Sequence, residues 1–424
     1  NVESNRLFDE SKRELDIPFK RVGSLGLAFD EEDEHMLNVL LEQGRKSGVE
    51  GLEIISREEV LDREPSINPD ILSALWAPTG GITCPYELTV AYMENAIDNG
   101  VKIFFNHPVT GISKRDDGTF SITTSDGEFK ASYIINCAGL NGDAIPKMLG
   151  VKEFTITPRR GEYLLYDRKY GNTVNSVIFQ TPSKVSKGVL VTQTVDGNLL
   201  VGPNAEDIDE KANISTTDVG LDYVYNMGKK SVPTLTRRGV IRTFAGLRAI
   251  ADTDDFIIGP STKVEGLFHA AGISSPGLSS APAIAREMIR ILERHIGSFA
   301  ENQNFNPYRR SIPRLKELDR KEQQELIESD PRYGRVICRC ETITEGEIVE
   351  ALHRSLPVTT IDGIKRRTRA GMGRCQGGFC TPRIMEIMER ELGVPIENIN
   401  KSRKGSNIVI GKIREKREEE LKSI

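Results

Sequence analysis

Cys338, Cys340, Cys375 and Cys380 constrain this chain more than any other feature. They read C-x-C, then 34 residues, then C-x-x-x-x-C, in the frame Cys338-Arg339-Cys340-Glu341 and Gly373-Arg374-Cys375-Gln376-Gly377-Gly378-Phe379-Cys380. Four thiolates in two close pairs are the ligand set of a [2Fe–2S] cluster, two on each iron. A cluster passes single electrons and does nothing to a substrate by itself. The rest of the chain is therefore expected to hold a redox centre that feeds or drains it.

Two other uses of four cysteines stay open. A structural zinc takes four thiolates, although its pairs are usually spaced C-x₂₋₄-C. Two disulfides fit a long chain with 6 cysteines in 424 residues poorly. Cys84 and Cys137 stand apart and read as small buried residues. The surroundings suit a cluster, whose oxidised core with four thiolates carries two negative charges. Arg339, Lys365, Arg366, Arg367, Arg369 and Arg374 lie close in sequence, and positive groups and backbone N–H donors stabilise such a charge. Gly371, Gly373, Gly377 and Gly378 let the second pair turn sharply.

Residues 336–400 resemble the [2Fe–2S] domain of the bacterioferritin-associated ferredoxin type. The C-x-x-x-x-C ending is similar to the copies fused to FAD-dependent dehydrogenases, such as anaerobic glycerol-3-phosphate dehydrogenase large subunits. Composition fits a soluble chain of two or three domains, with 38% hydrophobic residues and a mean hydropathy of −0.35. No apolar run approaches the ~20 residues of a membrane span. The net charge of −5 argues against a nucleic-acid footprint. It is unevenly spread: from Pro331 onward 19 Lys and Arg face 13 Asp and Glu, against 38 and 49 in the rest. A basic module on an acidic body fits either a complementary contact or a basic docking face for an acidic electron-transfer partner. Scarce cysteine and a thiolate-bound cluster point to a reducing cytoplasm.

Periodicity predicts a helix over residues 1–15, a strand over 19–29, an acidic turn at 30–34 and a helix over 35–47. Strands are predicted over 52–56, 76–83, 101–105, 109–114 and 120–124, with helices from Arg57 and over 85–99. Residues 131–137 form a nearly continuous apolar run, as in a parallel strand buried on both faces. Between 155 and 248 short alternating stretches predict an antiparallel sheet. An apolar strand over 267–271 leads to a glycine-rich loop, a helix over 282–295, a linker over 302–313 and a charged helix over 316–329. Thr344-Glu345-Gly346-Glu347 fits a capping box, and Thr381-Pro382 an N-cap followed by proline. The last dozen residues are mostly charged.

Five motifs follow in order: Gly80-Gly81 with Cys84-Pro85-Tyr86-Glu87; Asn136-Cys137-Ala138-Gly139-Leu140; Pro158-Arg159-Arg160-Gly161-Glu162-Tyr163; Ala245-Gly246-Leu247-Arg248; and the run His269-Ala270-Ala271-Gly272-Ile273-Ser274-Ser275-Pro276-Gly277-Leu278-Ser279. Their order resembles the D-amino-acid-oxidase-like FAD superfamily over residues 1–296. That resemblance implies an α/β, FAD/NAD(P)-binding Rossmann-like domain. It also implies an antiparallel-sheet substrate domain (α+β), with a small mainly α C-terminal [2Fe–2S] domain behind them. The expected division is 1–300 for the FAD-dependent oxidoreductase domain, with its substrate sheet mainly at 155–248. A linker and helix at 301–331, the cluster domain at 332–400 and a charged tail at 401–424 follow.

The resemblance assigns Val109, Ala138, Gly139, Gly272, Ser275, Gly277, Leu278 and Ser279 to FAD, and Arg248, with Arg160 second, to an anionic substrate. Independently of it, Pro276 to Ser280 open a helix at a strand's carboxyl end, where free N–H groups suit an anion. Arg248 offers a planar bidentate donor for a carboxylate or phosphate.

Two departures stand out. The superfamily opens with a strand–GxGxxG–helix unit, and no GxGxxG occurs in the 424 residues. Gly23-Ser24-Leu25-Gly26 is not one, so the N-terminal βα unit is expected to be missing here. Glycerol-3-phosphate dehydrogenases usually carry Gly-Gly-Lys-Leu at the final flavin loop. Ser275-Pro276-Gly277-Leu278 looks closer to L-2-hydroxyglutarate oxidases and opine-type dehydrogenases.

His35, His107, His269, His295 and His353 all read as structural, so no catalytic base is assigned. The resemblance implies an FAD-dependent dehydrogenase of a small anionic substrate, foremost sn-glycerol 3-phosphate. Its electrons pass through the cluster to a redox partner subunit, and the chain, which has no transmembrane segment, is open to peripheral membrane association through that partner. The alternatives are a 2-hydroxy-acid or amino-acid dehydrogenase, or an electron-transfer subunit without its own flavin.

Overall fold

The structure, a computed structural model, describes residues 1–182, 188–253 and 255–411. Most of the expected charged tail, from residue 412 on, lies outside the described residues. The chain divides into two compact units. One comprises Asn1–Lys12, Phe19–Thr83 and Lys102–Gln303; the other comprises Arg13–Pro18, Cys84–Val101 and Asn304–Ile424.

The first unit is built on sheets. Nine strands among the described residues form the largest one, in which Ile156–Tyr166 and Val240–Ala251 pair antiparallel over nearly their whole lengths. The sheet continues through Leu199–Gly202, Leu190–Gln193, Val177–Gln180, Ser24–Ala28 and Ser73–Ala77 to Glu53–Ser56. Alternation puts Leu164 and Tyr166 on one face, in a core with Leu25, Leu27, Ile178, Leu199 and Val224. A second sheet has Leu267–Ala271 in the middle, antiparallel to Ile257–Pro260 and parallel to Ile134–Asn136. A meander of Val109–Lys114, Phe120–Thr124 and Gly127–Ala131 packs Ile112 and Phe120 against Leu267 and Ile134.

Several elements depart from the sequence reading. The acidic stretch 30–34 is no turn: Asp30 caps the helix Glu31–Lys46, and its carboxyl accepts from the Asp33 amide. Carboxylates in that first turn face the positive end of the helix dipole. The 19–29 stretch breaks at Gly23, whose Cα faces the Trp76 ring so closely that a Cβ would lie 2.0 Å from it. Residues 101–105 form no strand, and Val101, Phe104 and Phe105 are exposed. The 131–137 run shrinks to Ile134–Asn136 at a sheet edge, so Tyr133 and Ile135 are half exposed instead of buried. Cys84 is buried, but Cys137 is exposed where that strand leaves the sheet.

The second unit is mainly helical. Glu345–His353, Ile361–Thr368 and Thr381–Leu392 enclose a core of Ile348, Ile364, Ile384, Met388 and the cysteines 338 and 380. The capping box at Thr344 forms, with Glu347 returning to the Thr344 amide. Cys380, not Thr381, is the N-cap of the last of these helices. The linker residues are firmly held: Arg309 and Arg354 both bind Glu94 of the helix Pro85–Asp98, at 2.6 and 2.9 Å, and Ser311 donates to Asp16. Burial alone would raise the Glu94 carboxyl, but the two guanidinium groups outweigh it and hold it below its ordinary value.

Candidate functional site

Cross-strand pairing decides which arginines share a face. Arg159 stands opposite Arg248, Gly161 opposite Gly246, and Tyr163 opposite Phe244, so these six side-chain positions share one face of the pair. Tyr163 and Phe244 stack with ring centroids 4.9 Å apart. The Arg248 guanidinium lies over Gly161, where a Cβ would come within 2.5 Å of Nη2. Above Gly246 the space is open. Nη2 of Arg248 donates to the Asn204 carbonyl at 2.6 Å, its one hydrogen bond among the described residues. Burial, with Arg159, lowers the pKa of Arg248, opposed by Tyr163 and Asp207. A half-buried guanidinium with donors to spare, on a glycine floor and beside stacked rings, is suited to a small anion carrying a short carbon chain.

Arg160 occupies the other face. It is 5% exposed and committed to Glu206 at 2.7 Å, the Ser215 carbonyl at 3.2 Å and Glu162 at 3.6 Å. Glu162 in turn accepts from the Thr217 amide and hydroxyl. The structure thus separates Arg160 from Arg248. Arg159, which the sequence reading passed over, shares the Arg248 face and forms a bidentate pair with Asp207 at 2.6 and 2.8 Å. Strand alternation read against the register would have found it.

The parallel strands Ile134–Asn136 and Leu267–Ala271 end at the same edge, bringing together the turns that hold Ala138, Gly139, Gly272 and Ser275. Asn136 organises this edge. Its Oδ1 accepts from the Ala138 amide at 3.1 Å, and its Nδ2 donates to the Gly142 carbonyl at 2.8 Å and faces His269 Nδ1 at 3.1 Å. His269 is 1% exposed, and its Nε2 lies 3.5 Å from Glu153, which accepts from Ser261. Burial lowers the His269 pKa, with Glu153 opposing. His269 is thus held at both ring nitrogens, by Asn136 on one side and Glu153 on the other. The helix Gly277–Ile296 starts at this edge with no side-chain cap on its first amides. Leu278 there is exposed, and the Ser279 hydroxyl donates to the Pro276 carbonyl and to Asn1. Val109, also exposed, opens the first strand of the meander.

In the second unit all four predicted cysteines converge. The sulfurs of Cys340 and Cys375 are 3.5 Å apart, and the Cys338 and Cys380 thiols are hydrogen-bonded to each other. Amides of Gly371 and Glu341 donate to Cys338, and those of Gly377 and Phe379 to Cys375. The Cys380 thiol and these amides draw Cys338 below its ordinary value, while Cys380, which shares the proton, is raised. Gly373 is required for the approach, because a Cβ there would lie 2.2 Å from Cys340 Cβ. Glu341 and Arg369, both buried, pair at 2.9 Å behind the site.

A model of the FAD dependent oxidoreductase family matches residues 1–291, and one of the BFD-like [2Fe-2S] binding domain matches residues 336–390. The chain belongs to the FAD dependent oxidoreductase family. It is 51% identical to a glycerol 3-phosphate dehydrogenase of Caloramator mitchellensis over 97% of this chain and 85% of that protein. It is 32% identical to a glycerol 3-phosphate oxidase of Mycoplasma genitalium, over 70% of this chain and 78% of that protein. Among solved structures it resembles the FAD-bound L-alpha-glycerophosphate oxidase of Mycoplasma pneumoniae, with a TM-score of 0.69 and 32% identity over 73% of this chain and 82% of that one.

The cofactors of this FAD-dependent oxidoreductase are therefore FAD and a [2Fe–2S] cluster. Its residues fit both. Four thiols with amides aimed at their sulfurs, within one convergent set, match the cluster's donors and its negative charge. The uncapped helix start and the turns at the carboxyl ends of two parallel strands match the flavin end of FAD. Gly23 to Gly26 are not a phosphate loop: the Trp76 ring fills the turn, and Ser24–Ala28 is a sheet strand. Bound FAD supplies a two-electron acceptor, and the cluster supplies a one-electron carrier. Among the described residues no helix is long and apolar enough to cross a membrane.

Proposed function

We propose that this oxidoreductase dehydrogenates sn-glycerol 3-phosphate to dihydroxyacetone phosphate and delivers the electrons through its cluster to a separate redox protein. The observation that carries this reading is the spare-handed Arg248 on its glycine-floored face, taken with 51% identity to the Caloramator mitchellensis glycerol 3-phosphate dehydrogenase. Arg248 binds the phosphate, and the stacked Tyr163 and Phe244 bound the space beside it. The substrate's C2 loses a hydride and its hydroxyl a proton, two electrons in all. Ala138, Gly139, Gly272, Ser275, Gly277, Leu278 and Ser279, with Val109, hold FAD, and the four cysteines hold the cluster.

The test is anaerobic mixing of the FAD-loaded protein with sn-glycerol 3-phosphate and, separately, with L-2-hydroxyglutarate, followed at the flavin band. Bleaching by glycerol 3-phosphate at micromolar to millimolar concentration supports the reading. Bleaching by L-2-hydroxyglutarate alone replaces the substrate with a 2-hydroxy acid, and bleaching by neither overturns it.

A further inference from the structure

We propose that the cluster's outer edge is a docking surface for a redox protein with an acidic face, which takes electrons beside Cys340 and Cys375. This rests on the reading that electrons leave through the cluster. The four cysteines differ in exposure. Cys338 and Cys380 are 1% and 2% exposed, whereas Cys340 is exposed and Cys375 half-buried. The centre therefore meets solvent on one side only, and a short electron path to another protein starts there.

That side has its own chemistry. Phe379, between the second pair of ligands, is 85% exposed. Its amide is fixed on the Cys375 sulfur, so the ring is held outward on a short, tethered loop. A single exposed apolar residue is ordinary, but this one stands at the rim of a redox centre and among cations. Arg339, between the first two ligands, is exposed and has no ion pair or hydrogen bond among the described residues. Arg374 beside Cys375 is exposed too. Residues 372–385 contain two arginines and no carboxylate. The one acid next to a ligand, Glu341, is 1% exposed and turned inward onto Arg369. A cationic rim around an apolar ring matches a partner that is acidic at its rim and apolar at its centre. The transfer is a single electron from the reduced cluster to the partner's oxidised centre, which leaves the cluster oxidised and forms no bond.

The test uses the full chain with its cluster reduced by dithionite, so it is independent of the substrate. A failure to turn over glycerol 3-phosphate leaves it intact. Reoxidation is followed by stopped flow at the cluster's visible absorbance with two copper- or haem-bearing probes: plastocyanin, which has an acidic face, and cytochrome c, which is basic. The expected result is reoxidation by plastocyanin at least about tenfold faster at low than at high salt, with no such gain for cytochrome c. Arg339→Glu removes that gain and Phe379→Ser weakens it, each rate being taken relative to the same variant's reoxidation by neutral benzoquinone, which absorbs any shift in cluster potential. Equal rates with both probes overturn the proposal, as does a plastocyanin rate indifferent to salt and to Arg339→Glu. Arg339-dependent binding to phosphatidylglycerol vesicles with an unchanged plastocyanin rate assigns the face to a membrane and also overturns it.

Discussion

At the cluster the decisive groups come from two short loops, and each cysteine lies two or five positions from another. On the face proposed to bind substrate, Arg248 meets Gly161 across 87 residues only because two long strands pair in one register. The cluster site is specified by residue type, four cysteines with a glycine at 373 that leaves room for Cys340. The Arg248 face is specified by geometry: a shift of one residue would exchange Arg159 for Arg160 and turn the face inside out. The same contrast appears in charge. Arg248 keeps donors to spare, whereas Arg160, Glu162 and Glu206 are consumed by one another.

The largest effect is expected at the cluster. Cys338→Ser or Cys380→Ser abolishes bound iron and sulfide while FAD content persists, as measured by metal analysis and flavin absorbance. Retention of a full cluster by both variants would break the assignment. On the other side of the comparison, Arg248→Ala costs about 1.5–3 kcal/mol of substrate binding, a drop of about 10- to 150-fold in kcat/KM, from a charged hydrogen bond. Arg248→Lys restores part of it. Arg160→Ala instead lowers the melting temperature, because it strands Glu162 inside, and leaves KM for glycerol 3-phosphate near wild type. A large KM change in Arg160→Ala would put both arginines on the substrate.

Gly161→Ala is a finer probe, since its Cβ displaces the Arg248 guanidinium and raises KM about tenfold, the order of one mispositioned contact. Gly246→Ala, which meets open space, changes it little. The smallest effect concerns pH. Glu94 is held below its ordinary value of 4.5. Its contribution to stability is thus fully present above that value and is lost as pH falls through the folded-state value. Thermal unfolding of the cluster-bearing unit, followed at the cluster's visible band, is expected to steepen its dependence on pH below about 5. Glu94→Gln lowers the melting point at pH 7 and flattens that acid limb.

The cysteines were legible in the sequence because ligand chemistry tolerates few alternatives. So were the capping box at Thr344 and the strands leading to Gly139 and Gly272, each a local rule of turns and caps. Other features depend on what packs where. Alternation alone says that Arg159 and Arg160 point oppositely, but only the pairing with Val240–Ala251 says which one joins Arg248. The stretch 101–105 is apolar enough for a strand, yet it forms none and leaves Val101, Phe104 and Phe105 exposed. The acidic residues 31–34 read as a turn by composition, although the same charges favour a helix start. The contacts of buried Glu94 with half-buried Arg309 and Arg354 join residues 215 and 260 positions apart, and no motif announces them.

The helix Pro85–Asp98 belongs to the same compact unit as the cysteines, as do residues 13–18. A ribosome must therefore hold two early pieces unfinished while all of Lys102–Gln303 is made, before the thiols emerge. Iron and sulfide enter a scaffold that is complete only once the stretch from Asn304 on has joined the two earlier ones, and no single cut in the gene lifts that scaffold out whole. Moving the electron-carrying part to another enzyme would require transplanting three stretches of chain, with Glu94 among them.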